Sequence, residues 1–520
     1  MTTVTRPVAP DEQANDDTIR RLQSVAVWSD RHLAEASIRI VDVPFVTVGG
    51  GLGSFAMVDY LRIAGVAPSD IRVLTVLKQP WQNYEYLAAV SQIPRWERLR
   101  SDSSSCPDNI WGFPSYAVRE AFAARTVREF VAPLWNVLSE NVLSDYWTPR
   151  SGDVFRALQR EADRIGYWES VTRGQALMTH RRRGGGYFSL VTPERGPERY
   201  LAYRSRFVHF AVGYPGLRYL DDLQEYRIAT GDHHRVVNAY EPHEHVYDEL
   251  NRRGGTVLVR GGGIVASRIL DRLITDRDRS GSPTQIVHLL RTYVAGSHGP
   301  SALMRRRGGN GWAYQGFNWP KSSWGGHANA RLRKLEGEER ANYLRTMGGT
   351  TTAYRKRWQQ QLARGRAEGF YRVYAGEVER VVPGPLGTVV TCLRPMSGDD
   401  PATELPANFV IDATGLVADI SEHPVLADLM THAGARRNVL DRLDVERSFE
   451  LRGCRNEPGR LYASGATTLG GYLAGVDTFL GLQIAALEIC DDLAGLGFCR
   501  RIRVLRSTAQ WWRWMRNATP

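Results

Sequence analysis

Short runs of β-branched and aromatic residues recur along the chain, each closed by glycine. The two most regular runs lie about two hundred residues apart. Pro44 to Val48 is apolar almost throughout, as a parallel strand buried on both faces is. Gly49 to Ser54 follow, and then Met57, Tyr60, Leu61 and Ala64 at the i, i+3, i+4, i+7 spacing of a helix. Gly65 closes that helix, and Ile71 to Leu77 reads as the next strand. Further on, Val257-Leu258-Val259 leads into Gly261 to Ala266, with Val265, Ile269 and Leu273 on one helical face and a strand from Gln285 to Arg291. Two more strands end in similar tripeptides, Ala211-Val212-Gly213 and Ala413-Thr414-Gly415, which read as crossovers between domains. The stretch Glu368 to Leu393 alternates and carries turn residues, as a meander does. A last strand ends at Ser464-Gly465, and a helix begins near Asp477.

Each glycine turn thus stands between a strand and a helix, the context in which GxGxxG binds a dinucleotide. Gly49, Gly51 and Ser54 fill its three positions in the first turn, with Gly53 between. Gly261, Gly263 and Ala266 fill them in the second, followed by Ser267. The first glycine permits the tight turn, the second lets backbone approach the pyrophosphate, and the third position packs helix on strand. The helix N-terminus then offers free N–H groups to phosphate. Two such turns imply two dinucleotides, expected as FAD and a nicotinamide. An acid usually ends the second strand and holds the ribose. Here Lys78 or Gln79 falls at that place, with Trp81 beside them. The corresponding strand of the second unit ends in Arg291, which suits a 2′-phosphate and so NADPH over NADH.

Composition adds limits. Hydrophobic residues are 42% and charged residues 24%, ordinary for a globular chain of 520 residues. No run approaches the ~18 apolar residues of a membrane-spanning helix. The polar N-terminus has no secretory pattern and reads as a disordered leader, which places the protein in the cytoplasm. Five dispersed cysteines with no CxxC spacing argue against a dithiol redox centre and make a cysteine-rich metal site unexpected. The net charge of +11 suits phosphate-rich cofactors, and no nucleic-acid motif accompanies it. The tail from Arg500 to Pro520 holds six arginines, three tryptophans and no acid. It is suited either to an anionic membrane surface or to packing on its own domain.

With these motifs in place, the chain resembles the flavin-dependent N-hydroxylating monooxygenases, relatives of the lysine and ornithine hydroxylases. The glycine turns match that family's FAD and NADPH turns. Gln92, Leu99, Pro107, Phe113 and Tyr116 match its flavin-lining segment in spacing. Ala413-Thr414-Gly415-Leu416 matches an Ala-Thr-Gly-Tyr motif, and Asp477-Thr478-Phe479-Leu480 an Asp-x-Leu-Leu motif. The resemblance implies an α/β fold of two Rossmann-like domains of glutathione-reductase type, the FAD domain being interrupted by an inserted NADPH domain. The expected divisions are 1–38 (leader and helix), 39–235 (first FAD part), 236–375 (NADPH domain), 376–499 (second FAD part) and 500–520 (tail).

It also implies that NADPH reduces FAD, that reduced flavin takes up dioxygen as a C4a-hydroperoxide, and that one oxygen atom passes to a small-molecule nucleophile, an amine above all. Gln92 is then expected at the flavin, and Asn318, Trp319 and Lys321 near substrate or nicotinamide. Thr414, Gly415, Gly465, Asp477 and Phe479 join the cofactor set. The chain departs from the family where a carboxylate-binding lysine falls near Glu97 and where a Thr-Asn-Tyr becomes Thr350-Thr351-Thr352. A second copy of the chain is an expected partner. The alternative reading is a membrane-associated NAD(P)H:quinone oxidoreductase.

Overall fold

Two sheets form around the two glycine turns in the computed structural model, which describes residues 10–99, 114–139, 147–214, 216–217, 219–299, 307–315, 326–347, 352–394, 403–417 and 419–520. The first sheet runs Arg39–Asp42, Leu201–Ser205, Tyr187–Pro193, Val171–Arg182, Ile71–Thr75, Phe45–Val48, Phe207–Phe210 and Arg460–Ala463, and Val27–Trp28 pairs with Val171–Arg182. Tyr187–Pro193 is antiparallel to both neighbours, while the central strands are parallel. Phe45 to Val48 is buried at every position because helices cover both faces of that strand. The helix Leu52–Ile63 after the first turn lies against Phe479–Gly495, whose Ala485, Ala486 and Ile489 join the same core.

The second sheet is wholly parallel and runs Val236–Asn238, Phe409–Asp412, Thr256–Arg260, Gln285–Leu290 and Tyr371–Ala375. Three points here differ from the sequence reading. Tyr371–Ala375, expected to open a meander, is a strand of this sheet, and the antiparallel meander is Val378–Pro383, Val389–Leu393 and Thr403–Ala407. Phe409–Asp412, assigned by sequence to the first domain within 376–499, lies in the second sheet between Val236–Asn238 and Thr256–Arg260. Leu223 and Tyr226 of the helix Asp221–Thr230, assigned to 39–235, share a core with Val236, Leu258 and Val410. A β-branched run buries equally well in either sheet, so its partner is decided by pairing over long sequence distances. The crossovers therefore lie just after Gly213 and Gly415. They pair with each other, Gly216–Leu217 running antiparallel to Leu416–Val417.

The N-terminal segment is structured well before the first glycine turn. Of the expected leader, Pro10 onward is helical, to Gln23. Ser29 and His32 form a capping box on the helix Asp30–Glu35. Trp28 is fully buried, stacks on His180 at 4.5 Å and donates its indole N–H to Leu22 O at 2.8 Å. Trp28→Ala is expected to cost about 3–5 kcal/mol, from lost burial and the cavity left behind. A urea midpoint unchanged from the parent would show that this segment is not part of the cooperative fold.

Candidate active site

The two turns have the same construction. Gly49 has φ +94°, and a Cβ there would fall 2.5 Å from Ala211 O. Gly261 has φ +130°, and its Cβ would fall 2.5 Å from Ala413 O. Each turn is thus pressed against the alanine that ends the adjacent strand, which only glycine allows. Gly49 N donates to Leu74 O and Gly261 N to Leu289 O, tying each turn to the next strand.

The second glycine of each turn is different. Gly51 and Gly263 have ordinary extended backbone (φ −81° and −93°) and cap the helices Leu52–Ile63 and Ile264–Ser280 with no side-chain hydrogen bond. A Cβ on Gly51 would meet no protein atom within 4 Å. Its space is open toward the cavity, and the helix N–H groups face that space. Neither first helical turn carries an acid. This is the cradle a pyrophosphate fills.

One cavity of about 1750 Å³ joins both turns. A site for one drug-sized ligand is about 300–1,000 Å³, so this volume suits two dinucleotides. Gly49, Gly51, Gly53, Gly261, Gly263, Arg291, Thr414, Gly415, Gly465 and Asp477 line it. Arg291 is exposed one residue beyond the strand Gln285–Leu290. Asp477 accepts from Tyr214 O–H at 2.5 Å, and Thr478 caps the helix Phe479–Gly495 through Gly481 N. Among the described residues there is no cluster of His, Cys, Asp or Glu fit for a metal.

Other expected residues stand elsewhere. The strand after the first turn stops at Thr75. It is Thr75, buried beside Gly50, that occupies the strand end facing the turn. Lys78 and Gln79 are exposed beyond it and do not line the cavity, and Trp81 is buried in the core at 6.4 Å from the Trp168 ring. Counting the strand two residues too long produced the misplacement.

Gln92, expected at the flavin, has φ +64° and turns toward the second domain. Its Nε2 donates to Glu244 Oε1 at 3.2 Å, and its Oε1 accepts from Arg272 at 3.0 Å. Its neighbours Ser91 and Ile93 line the cavity instead. Glu97 likewise reaches across, pairing with Arg268 at 3.2 Å and Arg355 at 3.7 Å. Phe479 packs on Tyr84 at 5.0 Å, within the core. Ser54, Ala266 and Ser267 are buried behind the turns. Asn318, Trp319 and Lys321, like Pro107 and Phe113, lie outside the described residues.

Two histidines that sequence reading missed stand behind the turns. His288 Nε2 lies 2.6 Å from Gly261 O, and a carbonyl only accepts, so Nε2 carries the proton and Nδ1 accepts from Tyr371 O–H at 2.9 Å. Behind the first turn the chain is longer. Ser54 Oγ donates to Gly49 O, so Thr47 donates to Ser54 (2.9 Å) and His209 Nδ1–H to Thr47 (3.0 Å). Ser464 then donates to His209 Nε2 (2.8 Å). Each run of donors ends on the carbonyl of a turn's first glycine. Burial holds both imidazoles neutral, pushing His209 down to about 3 and His288 down to about 4. The available signal was a lone histidine in two equivalent apolar strands, RFVHFA and QIVHLL.

No protein-family model and no curated protein sequence matches the chain. Solved structures do. The reduced form of ornithine hydroxylase from Pseudomonas aeruginosa superposes with a TM-score of 0.59 at 16% identity, covering 88% of this chain and 100% of that one. The FAD-bound cadaverine monooxygenase of desferrioxamine biosynthesis from Erwinia amylovora gives 0.61 at 13% identity, covering 89% and 97%. Ornithine N-hydroxylase from Kutzneria sp. 744, with reduced FAD, NADP+ and L-ornithine, gives 0.55 at 13%, covering 88% and 99%. The chain has the fold of these proteins.

Two outcomes are expected. Gly51→Val fits the local backbone and fills only the open cradle, so the variant should fold normally yet lose more than nine-tenths of its flavin. A fully yellow variant would refute the cradle. The histidines bear on pH. Their folded pKa values lie below the ordinary 6.5, so the unfolded chain takes up protons first. Their effect is absent above about pH 6.5 and destabilises as pH falls below it, by up to about 1.4 kcal/mol per pH unit for each histidine. Denaturant midpoints between pH 8 and 5 should show this slope, and His288→Gln should reduce it.

Proposed function

We propose that the protein is an FAD- and NADPH-dependent monooxygenase that N-hydroxylates a small-molecule amine. The observation that carries this reading is the single cavity shared by both glycine turns, set in the fold of amine N-hydroxylases. Bound FAD supplies oxygen activation and bound NADPH supplies the hydride, so the chain needs no acid–base triad of its own.

The residues have positioning roles. Gly51 and the N-terminus of Leu52–Ile63 would hold the FAD pyrophosphate, with Thr75 at the ribose. Gly263 and the N-terminus of Ile264–Ser280 would hold that of NADPH, with Arg291 at the 2′-phosphate. The N-terminal end of Phe479–Gly495, capped by Thr478 and flanked by Asp477, would face the flavin ring. Leu87, Leu99, Met347 and Leu473 give the cavity apolar wall that excludes water from the reacting oxygen.

Glu97 bears on the substrate. By sequence it falls where the family resemblance places a carboxylate-binding lysine, and its carboxylate is taken up by Arg268 and Arg355 rather than lining the cavity. The absence of that lysine is what favours an amine without a carboxylate. The quinone-reductase alternative is not favoured by this fold.

The test is an anaerobic NADPH titration of the FAD-loaded protein, followed by oxygen and a panel of ornithine, lysine and cadaverine with hydroxylamine detection. Bleaching by NADPH, a product from the diamine and little from the amino acids is the expected result. Arg291→Ala should weaken NADPH far more than NADH. Flavin that NADPH does not bleach, with or without amine, would overturn the reading.

A further inference from the structure

The C-terminal helix Val504–Met515 is docked with its apolar side outward. One face is fastened to the parent domain. Trp514 and Gln510 are buried, and Arg506 Nε donates to Ile63 O at 2.8 Å. Flanking it, Arg500 N donates to Ala64 O at 3.0 Å, and Arg164 reaches Ala518 O at 3.0 Å. The opposite face carries Val504, Leu505, Thr508, Ala509, Trp512 and Met515, all exposed, with Leu505 at 86% and Trp512 at 53%. A helix on a water-soluble surface turns its apolar stripe inward. Here the direction is reversed while the helix is still firmly held.

Within the tail itself the charge is of one sign only. The tail contains six arginines and no acid. Arg501, Arg503, Arg513 and Arg516 are exposed at the ends and margin of the stripe, and none forms an ion pair among the described residues. The neighbouring helix Pro114–Phe122 touches this element through Arg119, which lies 4.7 Å over the Trp514 ring.

From these features we infer that the C-terminal helix is a peripheral docking surface for an anionic lipid bilayer. Val504, Leu505, Trp512 and Met515 enter the boundary between headgroups and acyl chains, and the arginines meet lipid phosphates. Charge complementarity selects this occupant. A second copy of the chain would bring the same exposed arginines against Arg501, Arg503, Arg513 and Arg516, with no acid in the tail to offset them. The inference does not depend on the proposed reaction.

The test is co-sedimentation of the full-length, FAD-loaded protein with vesicles of phosphatidylcholine alone or mixed with phosphatidylglycerol. Binding is expected to the mixed vesicles only, with release at high salt. Leu505→Glu with Trp512→Glu should lower the partition coefficient at least tenfold. Arg501→Gln, Arg503→Gln and Arg516→Gln together should lower it on the order of a hundredfold. All five side chains are exposed, so flavin content and melting temperature should not change and serve as the folding control. Equal binding to both vesicle types, or none, would overturn the inference. So would concentration-dependent self-association abolished by the Leu505/Trp512 variant without vesicle binding, which would make the face an interface between copies.

Discussion

The tight packing of one glycine peptide against one alanine carbonyl, made once in each domain, is the constraint on which the site depends. At Gly49 and Gly261 a side chain would fall 2.5 Å from the oxygen of Ala211 or Ala413. That approach brings the strand end, the turn and the crossover to one place. The same glycine carbonyls accept from buried donors, Ser54 in one case and His288 in the other. A carbonyl buried without a donor would cost about 1–3 kcal/mol, and here it is answered from beneath. The upper side of each turn is left free, its helix N–H groups aimed into the cavity.

The relation between the two domains follows from the same crossovers. The chain leaves the first domain after Gly213 and returns after Gly415, and the two passages pair as a short ribbon. A second set of contacts spans the gap on the far side. Gln92 bonds Glu244 and Arg272, and Glu97 pairs with Arg268 and Arg355. The segment from Ser91 to Leu99 thereby has two duties. Ser91, Ile93 and Leu99 line the cavity, while Gln92 and Glu97 join the domains. Rotation of one domain against the other would have to break both sets of contacts.

Both glycine turns, the starts of the helices that follow them and Arg291 line one cavity. Thr75 stands at the strand end facing the first turn, and Glu97 pairs with Arg268 and Arg355. Backbone geometry around a pyrophosphate tolerates few residues, whereas a pocket wall can be rebuilt from many.

Both strand–turn–helix units, and the place of Arg291 at the end of the second unit's next strand, were determined by the sequence alone. The reason is local: a positive φ, a capping glycine and an apolar run of four or five residues act over a few neighbours. Tertiary structure alone decided where Phe409–Asp412 pairs, because either sheet would bury it. It also decided that Thr75 rather than Lys78 or Gln79 meets the first turn, since strand length depends on the neighbouring strand. The left-handed turn at Gln92 aims its amide at Glu244 and Arg272, partners more than 150 residues away. The direction of the C-terminal helix is of the same kind. Its composition announced arginine and tryptophan, but docking through Arg506, Gln510 and Trp514 determined that Leu505 and Trp512 face outward.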